Sequence, residues 1–344
     1  MNIATVESTP LTQETILNLL KEKNMDFTAV KHPIPNVANA YRDAENNLVI
    51  PAKDVDTGLF TIQHGDKIFN AGVKKNYEVL QYLESFSKLQ EIAKVTDAEL
   101  VSGGLWNKGA EAHLSFDIGE FEVGNGTGDK IKKRLTAISS HSSKYAFIIM
   151  ITPYRMFCQN QVTGALRNAK KEMKAAIKTS MRIKHTPNGQ QLINSIGDWL
   201  TIVDGQFQDL ENLYNRLNNI RVTDQEMIAR VLGTVFNVQK DSERSKTMVR
   251  NQLESFATRF NDADGGKTDK NTAWSLYNAI QGTYQHDPIK TTVTHDKSVL
   301  VGAVAEKSRY AMDVILDICA NKNTDPSMYP VDNDISELLK EFSF

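Results

Sequence analysis

The sequence predicts an α+β fold: an antiparallel sheet of about four strands packed against a helical bundle, with a small mixed region at the N-terminus. Two observations carry this. Between residues 96 and 162 the apolar residues alternate or form short solid runs bounded by glycine and proline, whereas from 163 to 325 they recur at helical spacing. Because strands come first and helices follow, the order excludes the alternating units that build a parallel sheet.

At 344 residues the chain can bury one large core or two ordinary ones. It reads as a mixed α/β region over 1–95, the sheet core over 96–162, the helical region over 163–325, and an acidic tail with a short amphipathic helix over 326–344. In the first region "LTQETILNLLKEKN" places Leu11, Ile16, Leu19 and Leu20 on one helical face, with a start at Thr12. "HPIPNVANAYRD" reads as loop, "NLVIPA" and "GLFTIQ" as short strands, and "NYEVLQYLESFSKLQEIAKV" as helical.

In the sheet core, Ala110, Ala112, Leu114, Phe116 and Ile118 alternate with Glu111, His113, Ser115 and Asp117, the pattern of a half-buried strand. It follows "ELVSGGLW" across Asn107-Lys108-Gly109, a three-residue turn with glycine available for positive φ. After the glycine-rich "GNGTGD", "KIKKRLTAIS" is a third strand. "YAFIIMIT" is a fourth, apolar on both faces and therefore predicted at the centre of the sheet.

Past residue 160 the pattern is helical. The first helix carries Leu166, Ala169, Met173, Ala176 and Ile177 on one stripe and Arg167, Lys171, Lys174, Lys178 and Arg182 on another. A long helix or broken pair follows Pro187, and further helices are predicted near 223–237, 240–260, 272–285 and 297–320.

Net charge is only −2, but residues 130–184 hold thirteen Lys/Arg and one acid, Glu172, which leaves −14 on the remainder. One-sign blocks mark candidate anion-binding surfaces, unless acidic segments elsewhere fold back and neutralise them. Lys130, Lys132, Lys133 and Arg134 on the third strand, Lys144, and the cations of the basic helix are the candidate phosphate contacts. Tyr154, just after Pro153, is the candidate for stacking on a base.

Other motifs carry less. "GNGTGD" lacks the Lys-Ser/Thr and the following helix of a phosphate loop. "NDADGGKTDKNT" brings together Asp262, Asp264 and Asp269, but Gly266 and Ala273 stand where calcium ligands belong; it reads as a loop with Asn271 or Thr272 capping the next helix. His286-Asp287 and His295-Asp296 would serve a metal-dependent nuclease, but nothing supplies the remaining ligands. His113 and His141 have no nucleophile or carboxylate at a recognisable spacing. The two cysteines, Cys158 and Cys319, form no metal or disulfide pattern. No cofactor or metal is expected, and no catalytic residue is assigned. The N-terminal stretch lacks the pattern of a secretory signal, and no apolar run approaches the ~20 residues of a membrane span, so a cytoplasmic protein without membrane contact is expected.

"LTAISSHSSKYAFIIMITPYRMFCQNQVTGAL", "RIKHTPNGQ" and "NTAWSLYNAIQGTYQHD" resemble, in order and spacing, a phage/plasmid-like family of unknown function found in prophages, lytic phages and conjugative elements. The resemblance covers about 60–320 and includes Pro153, Arg155, Cys158, Gln159, Asn160, Arg182, His185, Thr186, Asn278 and His286. It departs at one turn, where Ser142 and Ser143 replace an Asp and a Gly. It implies a mobile-element context and no established activity. The strand-then-basic-helix order is also similar, as architecture alone, to the single-strand annealing proteins, which oligomerise and hold DNA in a basic groove.

The expected function is therefore non-enzymatic binding of single-stranded DNA by a homo-oligomer, in the host cytoplasm if the gene is a phage's, assisting annealing, recombination or replication. Two other classes stay open. One is a host-takeover or anti-restriction factor that binds protein through its acidic surface. The other is the metal-dependent nuclease. Arg155 is expected to be buried, with a partner that ties the strand end to the following helix. The tail, with Asp332 and Asp334 before Ile335, Leu338, Leu339 and Phe342, has three equal readings: it docks on its own domain, it offers a peptide to a protein partner, or it competes as an acidic mimic for the basic surface.

Overall fold

The structure is a computed structural model that describes residues 9–35, 41–49, 57–93, 96–124, 126, 128–155, 180–189, 196–236, 243–266, 269–286, 297–300, 302–321, 325 and 328–341. The fold is α+β. The chain divides into two compact units. One comprises Met1–Ile118, Leu135–Met150 and Ser180–Ile202; the other comprises Gly119–Arg134, Ile151–Thr179 and Val203–Phe344. Among the described residues no helix is long and apolar enough to cross a membrane.

The strands are β1 (Thr9–Pro10), β2 (Val30–Pro33), β3 (Tyr41–Arg42), β4 (Leu48–Val49), β5 (Leu59–His64), β6 (Lys67–Lys74), β7 (Glu99–Trp106), β8 (Glu111–Val123), β9 (Asp129–Ser140), β10 (Phe147–Ile151), β11 (Tyr154–Arg155) and β12 (Ser180–Ile183). The main sheet has seven strands in the order β1-β7-β8-β9-β10-β12, with β11 also paired to β9. It is larger than the four strands expected, because β1, β11 and β12 are two to four residues long and too short to show a period. The predicted turn is present: Asn107, Lys108 and Gly109 all take positive φ, and Trp106 pairs with Glu111 across it. β10 lies between β9 and β12, with Phe147, Ile148, Ile149 and Ile151 buried, as its apolar run predicts.

In the first unit, α1 (Gln13–Glu22) starts where predicted. The Thr12 side chain accepts from the Thr15 amide, and the Thr15 hydroxyl accepts from the Thr12 amide, closing a capping box. Ile16, Leu19 and Leu20 are buried, and a Cβ on Gly103 of β7 would lie 3.0 Å from Leu19 Cδ2, so glycine there permits the close approach of helix to strand. The helical stretch after residue 76 is shorter than expected and splits into α2 (Tyr82–Ser87) and α3 (Gln90–Ala93). A small second sheet, β2-β5-β6, encloses Ala29, Ile62 and Val73.

The alternating strand β8 corrects the sequence reading, since its polar face is buried too. Glu111, His113, Ser115 and Asp117 are all under 10 % exposed. His113 stacks on Trp106 at 4.3 Å, and Ser115 and Thr136 share a hydrogen bond of 3.0 Å. Period two records that the two faces differ, and cannot tell solvent from a polar interior.

The remaining helices are α4 (Ile196–Asn219), which belongs to the second unit from Val203 onward, and, within the second unit, α5 (Gln225–Phe236), α6 (Glu243–Gly266), α7 (Ala273–His286), α8 (Ala303–Ile315), which runs on into a π-turn at Leu316–Ala320, and α9 (Asn333–Glu341). Four of the predicted ranges are met to within a few residues. α7 is buried from Ala273 to Gln285 and is packed by α6 and α8. Thr272 caps it, accepting from the Ser275 amide at 3.0 Å while Ser275 Oγ accepts from the Thr272 amide at 2.9 Å. The calcium-like stretch is not a loop throughout, because α6 continues through Asp262 and Asp264 to Gly266.

Of the three readings for the tail, the first fits. α9 buries Ile335 and Leu339 and packs on α5, while Arg250 of α6 pairs with Glu341 at 2.7 Å. Asp332 caps it, accepting from the Asp334 and Ile335 amides.

Candidate nucleic-acid interface

The strand-borne cations stand on β9 just after the glycine turn. Gly124, Gly126 and Gly128 all take positive φ. Two of the turn's amides are used internally: Gly124 donates to Asn215 Oδ1 at 2.9 Å and Gly128 to Glu122 Oε1 at 2.8 Å. This accounts for "GNGTGD" as a hairpin turn held by side chains.

β9 opens on Asp129, which is 1 % exposed. Arg155 of β11 donates from Nε to Asp129 Oδ1 at 2.6 Å, and the Trp274 indole donates to Oδ2 at 2.8 Å. Arg155 is fully buried, and Trp274 stacks on Tyr214 of α4 at 4.6 Å. A buried carboxylate satisfied on both oxygens by an arginine and an indole fixes the start of β9 to β11 and α7. Arg155 is buried and paired as expected, while the following helix to which it was expected to tie the strand end lies outside the described residues.

Alternation along β9 then separates the cations. Lys130, Lys132 and Arg134 share one face, and Lys133 falls on the face of Asp129 and Ile131, its ammonium 5.9 Å from the Phe207 ring. Lys130 and Lys132 both pair with Glu120 of β8, at 2.7 Å and 3.0 Å. These contacts hold the Glu120 carboxyl below its ordinary range and raise the Lys130 ammonium. Arg134 differs from its neighbours: it is 8 % exposed, and its guanidinium lies 4.0 Å from the centre of the Tyr154 ring. Arg134, expected as a phosphate contact, is thus largely buried and packs its guanidinium against an aromatic face. Tyr154, half-buried, is the ring it covers.

In the other unit Lys144 is exposed and lies 5.3 Å from the Tyr145 ring. Arg182 is exposed but not helical; it sits on β12 opposite Ile148. Arg182 is therefore not on the predicted helical stripe, because Ser180–Ile183 pairs with β10. Arg167, Lys171, Lys174 and Lys178 lie outside the described residues, as do Asp287, His295 and Asp296. His286 is exposed at the end of α7. Among the described residues no group of three or more His, Cys, Asp or Glu could hold a metal ion.

The structure gives structural settings to other positions of the resemblance. His185 turns its two ring nitrogens to the Glu78 and Tyr145 carbonyls, at 3.1 and 3.2 Å, and stacks on Tyr77. His141 stacks on Tyr82 at 3.9 Å, and burial pushes its pKa down to about 3. Ser143, standing where the family pattern has Gly, takes φ of 57° and is held by the Asn70 side-chain amide. Sequence reasoning missed Asp129, Trp274 and Glu120. Trp274 lay inside a motif already quoted, and Asp129 and Glu120 flank the glycine turn, where carboxylates beside a lysine run signal cross-strand pairing.

Compared with known proteins, residues 71–305 match the family model described as Domain of unknown function (DUF932). No curated protein and no solved structure matches the chain.

Proposed function

We propose that this chain, which belongs to the DUF932 family, binds single-stranded nucleic acid without chemical turnover, as a homo-oligomer encoded by a phage or other mobile element. The observation that carries the reading is the run of thirteen Lys/Arg against one acid over residues 130–184, of which the fold buries Arg134 and Arg155. Lys130 and Lys132 support it, because they stand at the surface on a strand whose start is fixed by the buried Asp129–Arg155 pair. A cation on a rigid element loses less freedom on meeting a phosphate than one on a loop. The mobile-element context is supported by the resemblance of the motifs around Pro153, His185 and Asn278 to sequences of prophages, phages and conjugative elements.

The test is a salt titration of binding to labelled single- and double-stranded oligonucleotides, run beside light scattering. Log affinity for the single strand should fall with log salt, with a slope of about −0.7 per phosphate neutralised. Binding indifferent to salt, or no binding at low salt, overturns the reading. Cleavage of the oligonucleotide with magnesium or manganese, lost in His286→Ala, would replace it with the nuclease.

A further inference from the structure

We propose that Glu120 is a built-in competitor for phosphate: its carboxylate occupies the position between Lys130 and Lys132 that a phosphodiester would take, and it leaves when the strand binds. This rests on the reading of that face as a nucleic-acid contact.

The geometry is that of a bridging anion. Oε1 of Glu120 meets Lys130 Nζ at 2.7 Å and Oε2 meets Lys132 Nζ at 3.0 Å, so each oxygen serves one ammonium. The two lysines are two residues apart on β9 and hence on one face. A phosphodiester also offers two anionic oxygens, so the same pair can bridge it. Glu122, two residues further along β8, accepts from the Gly128 amide and is committed to the turn, which leaves Glu120 as the carboxylate able to move.

Displacement is feasible because the trio is open to water: the side chains of Glu120, Lys130 and Lys132 are 37 %, 48 % and 26 % exposed. Ion pairs in such settings are weak and screened by salt. The competitor also sets the effective charge. While Glu120 is in place the trio presents one net positive charge, so weaker polyanions and bulk anions are held less well than a strand that engages further cations at the same time.

The test uses the full chain, with a fluorescein-labelled oligothymidylate followed by anisotropy across salt. Glu120→Gln keeps size and hydrogen bonding but removes the charge. It should bind several-fold tighter than wild type at about 0.1 M salt, with a slope steeper by about 0.7, the value for one further phosphate charge. In the Lys130→Gln/Lys132→Gln background the same change should give no gain. If Glu120→Gln and wild type bind alike and both respond to salt, the competitor role fails and the binding reading survives. An equal gain in the lysine-free background would show a general charge effect and also overturn the competitor. If neither protein binds, both proposals fall. Matching thermal unfolding curves establish that the variants are folded.

Discussion

Arg155 and Asp129 form an ion pair sealed from solvent: Nε lies 2.6 Å from Oδ1, with side chains 0 % and 1 % exposed. With Trp274 on the other carboxylate oxygen, the pair joins residues 26 and 145 positions apart in the chain. Asp129→Asn removes the carboxylate charge that Arg155 Nε meets in the interior and should cost about 3–5 kcal/mol, read from the urea midpoint. Replacing both, Asp129→Leu with Arg155→Met, should cost less than the single change, because two buried charges disappear together. A single-variant loss below about 1 kcal/mol would show that the pair is dispensable.

The cations of β9 should separate by readout. Lys130→Gln and Lys132→Gln should each flatten the salt slope of single-strand binding by about 0.7 while leaving the unfolding midpoint in place. Arg134→Lys should do the reverse, losing about 0.5–2 kcal/mol of stability through the Tyr154 contact with little change in slope. A slope change in Arg134→Lys as large as in the lysine variants would contradict the burial of that charge.

Two histidines should set an acid limb on stability. Burial pushes His113 down to about 4 and His141 to about 3, from an ordinary value of 6.5. Both are kept neutral by the fold and take up protons more readily when unfolded. Their contribution is therefore complete above pH 6.5 and drains away as pH falls from there towards 4 and 3. In ring-proton NMR their resonances should stay put between pH 8 and about 5, at both positions; movement centred near 6.5 would refute the burial argument.

Docking of the tail is open to test through Leu339, which is 1 % exposed on α9. Leu339→Ala should destabilise by about 2–5 kcal/mol, or release α9 to rapid amide exchange, since the leucine fills apolar space against its own domain. Arg250→Ala, which removes the half-exposed pairs with Glu341 and Glu254, should cost under about 1 kcal/mol. Unchanged exchange in both variants would mean the helix is held by something else.

Backbone crowding predicts one glycine effect. A Cβ at Gly189 would lie 2.6 Å from the Lys184 carbonyl oxygen, a backbone atom that cannot swing away. Gly189→Ala should cost about 1–3 kcal/mol in unfolding by denaturant. Gly72→Ala, where the same atom meets nothing within 4 Å, is the control and should be close to neutral.

Much of the fold was legible because it is local. Thr12 and Thr272 sit at helix starts with their partners three residues on, the turn at Asn107-Lys108-Gly109 is contiguous, and the apolar run of Phe147–Ile151 states its own burial. The short strands β1, β11 and β12 were not legible, since two to four residues show no period and they exist only because a neighbour offers its edge. Arg182 was misplaced onto a helix for that reason. Within the candidate interface, the lysines were visible as charge but Glu120 was not visible as their partner. The sequence separation between Glu120 and Lys130 is ten residues, closed by a turn whose strand register no composition records.

By itself the sequence determined the fold class, the starts of α1 and α7, the order of strands before helices and the concentration of positive charge in one stretch, because each depends on residues near one another in the chain. Only the tertiary structure decided what those charges meet. Arg134 packs on Tyr154, Lys130 and Lys132 meet Glu120, and Asp129 is held by an arginine and a tryptophan from distant elements. The reason is physical: a charge acts over a few ångströms in water and somewhat further in a protein interior, so its fate is set by neighbours in space.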